Sequence, residues 1–151
     1  NPDKEFIPIE FELKPALKLL SNLVQVKKIK KGDKVGYGAT YEAQEDEWIG
    51  VVPIGYADGW TRSHQGRHVI VNGYECEIIG RVCMDQMMIR LPKQFPMGTE
   101  VTLIGDGMPV ERVAKEVGTI SYEILCLISD RVPRVYKQGG KIIAVKKMRF
   151  E

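Results

Sequence analysis

Cysteine is scarce and oddly counted: Cys76, Cys83 and Cys126 are the only three in 151 residues, and no two form a CxxC pair. An odd number cannot complete a disulfide framework, so free thiols in a reducing cytoplasm are the simplest reading. Histidine is scarcer still. His64 and His68 stand four apart, but Gly66 between them argues against a helical metal pair, and both are expected in exposed loops. No second Cys or His lies at ligand spacing from Cys83 and Asp85, so no metal is expected. No apolar run approaches the ~18 residues that span a bilayer, and the leading NPDKEF is polar, without a secretory core. An excess of one charge is missing too. The 22 Lys and Arg against 20 Asp and Glu leave +2, too little to steer nucleic acid or a membrane surface.

What remains is ordinary for one soluble domain, with 44% hydrophobic and 28% charged residues. The first residue is Asn1 and not Met, which points to a piece of a longer chain. Short strand-like runs punctuated by turns dominate. Expected strands are Leu23 to Lys31, Val35 to Ala43 with Val35, Tyr37, Ala39, Tyr41 and Ala43 on one face, and Trp48 to Gly55. His68 to Val71 and Tyr74 to Ile79 flank Asn72-Gly73, a hairpin signal because both central positions tolerate positive φ. Gln86 to Leu91, Glu100 to Ile104 and Lys141 to Lys147 complete the set. Two short helices are expected. One holds Val110, Val113, Ala114 and Val117 before Gly118, and the other starts at Ser121 as N-cap and runs to Ile128. The fold class is therefore mainly β, a small closed or sandwiched barrel with two short helices.

Three segments could carry chemistry. In Val35-Gly36-Tyr37-Gly38-Ala39-Thr40-Tyr41, two glycines flank a tyrosine inside a strand pattern. Either a backbone or ligand approaches closely there, or a β-bulge packs a core tyrosine. In Gly55-Tyr56-Ala57-Asp58-Gly59-Trp60, a loop at a strand end could present functional groups. The plainer account is a tight turn in which Asp58 bonds nearby backbone and Gly59 takes positive φ. Gly80-Arg81-Val82-Cys83-Met84-Asp85-Gln86 gathers a cation, a thiol, a carboxylate and an amide, but no local base activates Cys83. Lys27, Lys28, Lys30, Lys31 and Lys34 read as a solvated or protective edge strand.

Taken in order, VGYGATY, IGYADG, GRVCMDQ and TISYE resemble the C-terminal domain of the alanine racemase family, over essentially the whole chain from about Leu13 onward. On that basis residues 1–151 would be the family's C-terminal β domain, without the N-terminal α/β barrel. The resemblance implies an enzyme that interconverts L- and D-alanine for cell-wall peptidoglycan, with pyridoxal 5'-phosphate bound covalently by the barrel. It implies a cytoplasmic head-to-tail homodimer, in which this domain contacts its own barrel and completes the partner's site. By itself the chain would be inactive. Expected partners are the two alanines and those barrels, with no nucleic acid and no membrane.

The same resemblance assigns residues. Tyr37 would be the catalytic acid/base for L-alanine, opposite a barrel lysine, since inversion removes a proton from one face of the α-carbon and returns one to the other. A phenol titrates near ~10 in water, so such a base needs cations or hydrogen bonds around it. Met84 would bind the substrate carboxylate through its main-chain N–H. Tyr122 would bind the cofactor phosphate of its own chain's barrel. Tyr56 would form the inner entryway, and Arg62, Arg81 and Ile120 its outer layer. Asp85 receives no chemical step. Two alternatives stay open: a serine or broad-specificity racemase of the same family, and a non-catalytic β-barrel binding module.

Overall fold

The computed structural model describes residues 14–147. The leading NPDKEF, Leu13 and residues 148–151 of the expected domain lie outside the described residues. In chain order the elements are β1 (Leu19–Asn22), β2 (Gln25–Ile29), β3 (Lys34–Val35), β4 (Tyr41–Glu42), β5 (Glu47–Val52), β6 (His68–Val71), β7 (Tyr74–Ile79), β8 (Met87–Leu91) and β9 (Glu100–Ile104). Then follow α1 (Val110–Val117), α2 (Ser121–Leu127), β10 (Arg134–Gln138) and β11 (Lys141–Lys146). Seven strands make one antiparallel sheet in the order β1-β9-β6-β7-β8-β5-β2. The fold is mainly β with two short helices, as expected, and takes the form of a half-barrel and not a sandwich.

Both edges of this sheet belong to one stretch of chain. Only Leu23 and Val24 separate β1 from β2. Leu23 still bonds to the β9 side: its N–H donates to Thr99 O at 2.9 Å, and its carbonyl accepts from Gly98 N–H at 2.7 Å. Val24 N–H already donates to Val51 O of β5 at 2.9 Å. The chain thus crosses between edges in one peptide, and the expected single strand Leu23 to Lys31 becomes two strands paired to different neighbours. The Leu23 side chain is fully buried. Glycine faces it: a β-carbon at Gly50 would lie 2.7 Å from Leu23 Cδ2 and 3.2 Å from Leu91 Cδ1.

Period-two alternation gives the sheet two buried faces. Val52, Val69, Val71, Cys76, Ile78, Met87, Ile89, Val101 and Leu103 point into the main core, closed by Val113 and Ala114 of α1 and Ile124 of α2. On the opposite face Ile29, Ile49, Ile79 and Met88 pack with Val35, Ala43 and Cys83. That second cluster fastens the β3–β4 flap to the outside of the sheet. Arg112 ties α1 to β7 by two bonds to Glu75, at 2.6 and 3.0 Å. The guanidinium holds the Glu75 carboxyl below the usual range.

Several expectations need correction. Val35 to Ala43 is not one strand: β3 and β4 flank a 3₁₀ turn at Tyr37–Ala39, where Gly36, Gly38 and Ala39 take φ of 78°, 71° and 48°. Left-handed residues cannot continue a pleat, so the period-two spacing has no structural meaning there. The third strand stops at Val52, before Pro53. Ser121 is the first helical residue of α2, and Ile120 occupies the cap without a side-chain bond. β1 and β10 were not anticipated. The Asn72-Gly73 hairpin formed as read, with φ of 47° and 83°, and α1 ends on left-handed Gly118. The five lysines from Lys27 to Lys34 are exposed along edge strand β2, the loop after it and the first residue of β3, where Lys28 and Lys30 pair with Asp46 at 3.9 and 3.1 Å. All three cysteines are free thiols. Cys76 and Cys83 are buried, with burial pushing the Cys76 pKa up to about 11, while Cys126 is exposed.

The histidines are not exposed loop residues. His68 is half-buried in β6, and His64 is only 1% exposed, stacked on Trp60 with ring centroids 3.8 Å apart. A 3₁₀ turn at Arg62–His64 turns the ring inward, and Nδ1 bonds to Thr61 O at 3.0 Å. Nε2 has no hydrogen-bond partner among the described residues, and burial holds the His64 pKa below its ordinary value. The unfolded chain takes up this proton near pH ~6.5 and the folded chain only at lower pH, so stability is full above that point and declines below it. Urea midpoints should fall between pH 7.5 and 5.5, and His64→Phe should flatten the decline. Gly50→Ala should cost about 1–3 kcal/mol in urea unfolding by overpacking Leu23, and Leu23→Val in the same chain should recover part of it.

Candidate active-site face

Four turns and one helix end carry the residues singled out from the sequence. The first turn, Tyr37–Ala39, sits on the Gly80–Arg81 segment because glycines let the backbones meet. A β-carbon at Gly80 would stand 2.9 Å from Val35 O, and one at Gly36 would stand 3.2 Å from both Arg81 N and Met88 Cε. The Arg81 guanidinium lies over Gly38, with Nη1 3.0 Å from where a β-carbon would be. Tyr37 projects from this support and is 74% exposed. It is therefore not a core tyrosine at a bulge. The motif's other tyrosine is tied down: Tyr41 donates to Glu47 Oε1 at 2.6 Å, and burial, reinforced by that bond, pushes its pKa up to about 12. Beside Tyr37 an open groove of about 510 Å³ is lined by Lys27, Ile49, Cys83, Gln86 and Met88 among others.

The second and third turns are stitched by main-chain bonds. Tyr56 N–H donates to Cys83 O and Ala57 N–H to Met84 O, each at 3.0 Å, while Cys83 N–H donates to Gln86 O at 2.9 Å. Gly55 makes this contact feasible, since a β-carbon there would lie 2.2 Å from Cys83 O. Asp58 Oδ2 accepts from Gly55 N–H at 2.9 Å, and Gly59 takes φ of 100° against Leu127 at the end of α2. The tight-turn account of this segment is therefore right, and the turn also serves to hold Met84 in place. Met84 is exposed. Cys83 is buried, its Sγ donates to Arg81 O at 3.4 Å, and burial pushes its pKa up, which disfavours a thiolate nucleophile.

The fold thus brings Tyr37 to Arg81 and Tyr56 to Met84, all on one 80–86 scaffold. Ile120 and Tyr122 stand exposed at the start of α2, and Arg62 is exposed in its own turn. Among the described residues no hydrogen bond or ion pair joins the side chains of Arg62, Ile120 or Tyr122 to the other turns. Sequence reasoning missed Arg131. Its Nη2 bonds Asp85 Oδ1 at 2.6 Å and its Nε lies 3.6 Å from Asp58 Oδ1. A lone arginine after a helix, far in sequence from both carboxylates, gave no local signal.

These residues fit one side of a pyridoxal phosphate site. Two exposed phenols and a main-chain N–H are the right groups to meet a phosphate, an α-proton and a carboxylate. The covalent attachment does not fit, because every described lysine is exposed and none sits in an enclosed pocket.

Residues 16–136 match the family model described as alanine racemase, C-terminal domain. Curated relatives include alanine racemases of Streptococcus mutans serotype c, 61% identical over 140 residues, and Lactococcus lactis subsp. lactis, 58% identical over 141. These alignments cover 90% and 91% of this chain but 38% of each relative. Among solved structures, alanine racemase from Bacillus anthracis with bound L-Ala-P superposes with a TM-score of 0.90 at 47% identity, over 96% of this chain and 39% of that one. The Clostridium difficile 630 enzyme in complex with cycloserine gives 0.90 at 40% identity, over 97% and 40%. The chain spans about two fifths of the length of these relatives. It belongs to the alanine racemase family, whose C-terminal domain it matches.

Proposed function

We propose that this chain supplies the tyrosine side of a two-base alanine racemase site, working against an α/β barrel contributed by a second subunit. The observation that carries this reading is the presentation of Tyr37: a phenol exposed on a left-handed turn, with a cation, Arg81, packed against that turn. In a site shared between two domains, the group that exchanges the α-proton has to project from its own domain, and Tyr37 is exposed enough to do so. As phenolate its oxygen would take the α-proton of L-alanine, and as phenol it would return one to form it. The Met84 N–H would hold the substrate carboxylate, which fits a turn fixed by its own main chain. Tyr122 would donate to the phosphate of the barrel of its own chain. Tyr56, Arg62, Arg81 and Ile120 would line the entry, where exposed side chains select by size and charge. Pyridoxal phosphate, when bound by the barrel, supplies the electron sink that makes the α-proton removable. Three free thiols suit a reducing cytoplasm.

The reading predicts that this chain, mixed with pyridoxal phosphate and L-alanine in heavy water, exchanges no α-proton beyond the free cofactor's background. Sustained exchange by the chain alone would sink the shared-site account. In the assembled enzyme, Tyr37→Phe should lower racemisation by about 10²–10⁴-fold, the usual contribution of a general acid–base group. Polarimetry with either enantiomer measures it, and an undiminished rate would favour the non-catalytic binding module.

A further inference from the structure

Arg131 belongs to none of the groups assigned above to substrate, cofactor or entry, yet two carboxylates converge on it. Its Nη2 donates to Asp85 Oδ1 at 2.6 Å, and its Nε stands 3.6 Å from Asp58 Oδ1. Asp85 follows Met84 directly, and Asp58 closes the turn that begins at Tyr56. The second oxygen of Asp58 accepts from Gly55 N–H at 2.9 Å, so that carboxylate is fixed from two sides. Arg131 is itself anchored beyond α2: its N–H donates to Ser129 Oγ at 3.2 Å, and Ser129 N–H donates to Asp58 O at 3.0 Å. One guanidinium therefore spans three segments, those of Met84, of Tyr56 and of the chain leaving the helix that bears Tyr122.

We propose that Arg131 is a positioning residue for the racemase reaction, holding the Met84 peptide, through Asp85 and Asp58, at the orientation in which its N–H meets the substrate carboxylate. This rests on the role given to Met84 under the proposed function. Stability is not the main consequence. The Arg131 and Asp85 side chains are 42% and 57% exposed, and ion pairs in water add little to folding. Geometry is another matter, because a planar fork sets direction as well as distance. A carboxylate contact is made equally in the ground and transition states, so weakening it raises KM and leaves kcat nearly alone.

The test uses the enzyme assembled with its cofactor-bearing barrel, with racemisation kinetics, thermal melting and calorimetric binding of propionate, which is alanine without its amine. Arg131→Ala should raise KM for alanine and weaken propionate about tenfold, within the range that misplacement of a binding group produces. Its kcat should stay within about twofold and its melting temperature close to the parent's. Arg131→Lys should recover part of the loss, since one ammonium cannot serve both carboxylates at once. Asp85→Asn should shift KM and propionate in the same direction. Unchanged KM and propionate binding in all three variants would overturn the proposal. So would a joint fall of kcat and melting temperature, which marks a role in folding alone. Failure of the underlying reading is separable: the parent enzyme would then fail to racemise alanine before any variant is measured.

Discussion

The peptide at which the chain passes from β1 to β2 is the constraint on which the rest depends. A seven-stranded sheet has two open edges, each a row of unpaired donors and acceptors. Here both edges are consecutive pieces of one segment, so the curl of the sheet is fixed covalently and not only by hydrogen bonds. Leu23 turns inward at the crossing, and the missing side chain of Gly50 gives it room. Register then propagates outward from Val24 on β5 and from Leu23 on the Thr99 side. Because a slip of one residue would invert every side chain, this fixed start decides which residues face the core and which face the flap.

The flap turns that register into a site. Ile49, Ile79 and Met88 point outward because their neighbours point inward, and their cluster with Val35 and Ala43 holds β3 and β4 in place. Tyr37 is thereby carried on a short irregular turn whose position is determined by packing on both sides of it. The turns of Tyr56 and Met84 are held differently, by main-chain bonds between loops that only glycine allows to approach. Side chains at these positions are left free to face outward, which is why so many large apolar groups are exposed on this face.

Local rules in the sequence were enough where local rules govern. Asn72-Gly73 needs two residues of positive φ and little else, and α1 needs an apolar stripe with a glycine stop. The four motifs, read together, gave the family and the mainly β fold. What stayed hidden was long-range. Alternation from Val35 to Ala43 looked like a strand, because spacing cannot reveal that Gly36 and Gly38 are left-handed against Gly80 and Arg81. Leu23 looked like the start of a strand, since nothing nearby marks an edge-to-edge crossing. His64 looked polar and exposed, because its burial depends on stacking against Trp60 and on a turn that the sequence does not announce. Arg131 lacked any signal at all, its two partners being brought to it only by the closed fold.

The contrast among the three cysteines has a practical side. Cys76 and Cys83 are shut away, while Cys126 lies on the surface of α2, four residues after Tyr122 and hence on the same helix face. Of the three thiols, that of Cys126 alone is exposed, one helical turn from the phenol proposed for the phosphate. A fluorophore or spin probe attached there would report on that face as it meets another surface, with no engineered residue and no competing label in the core.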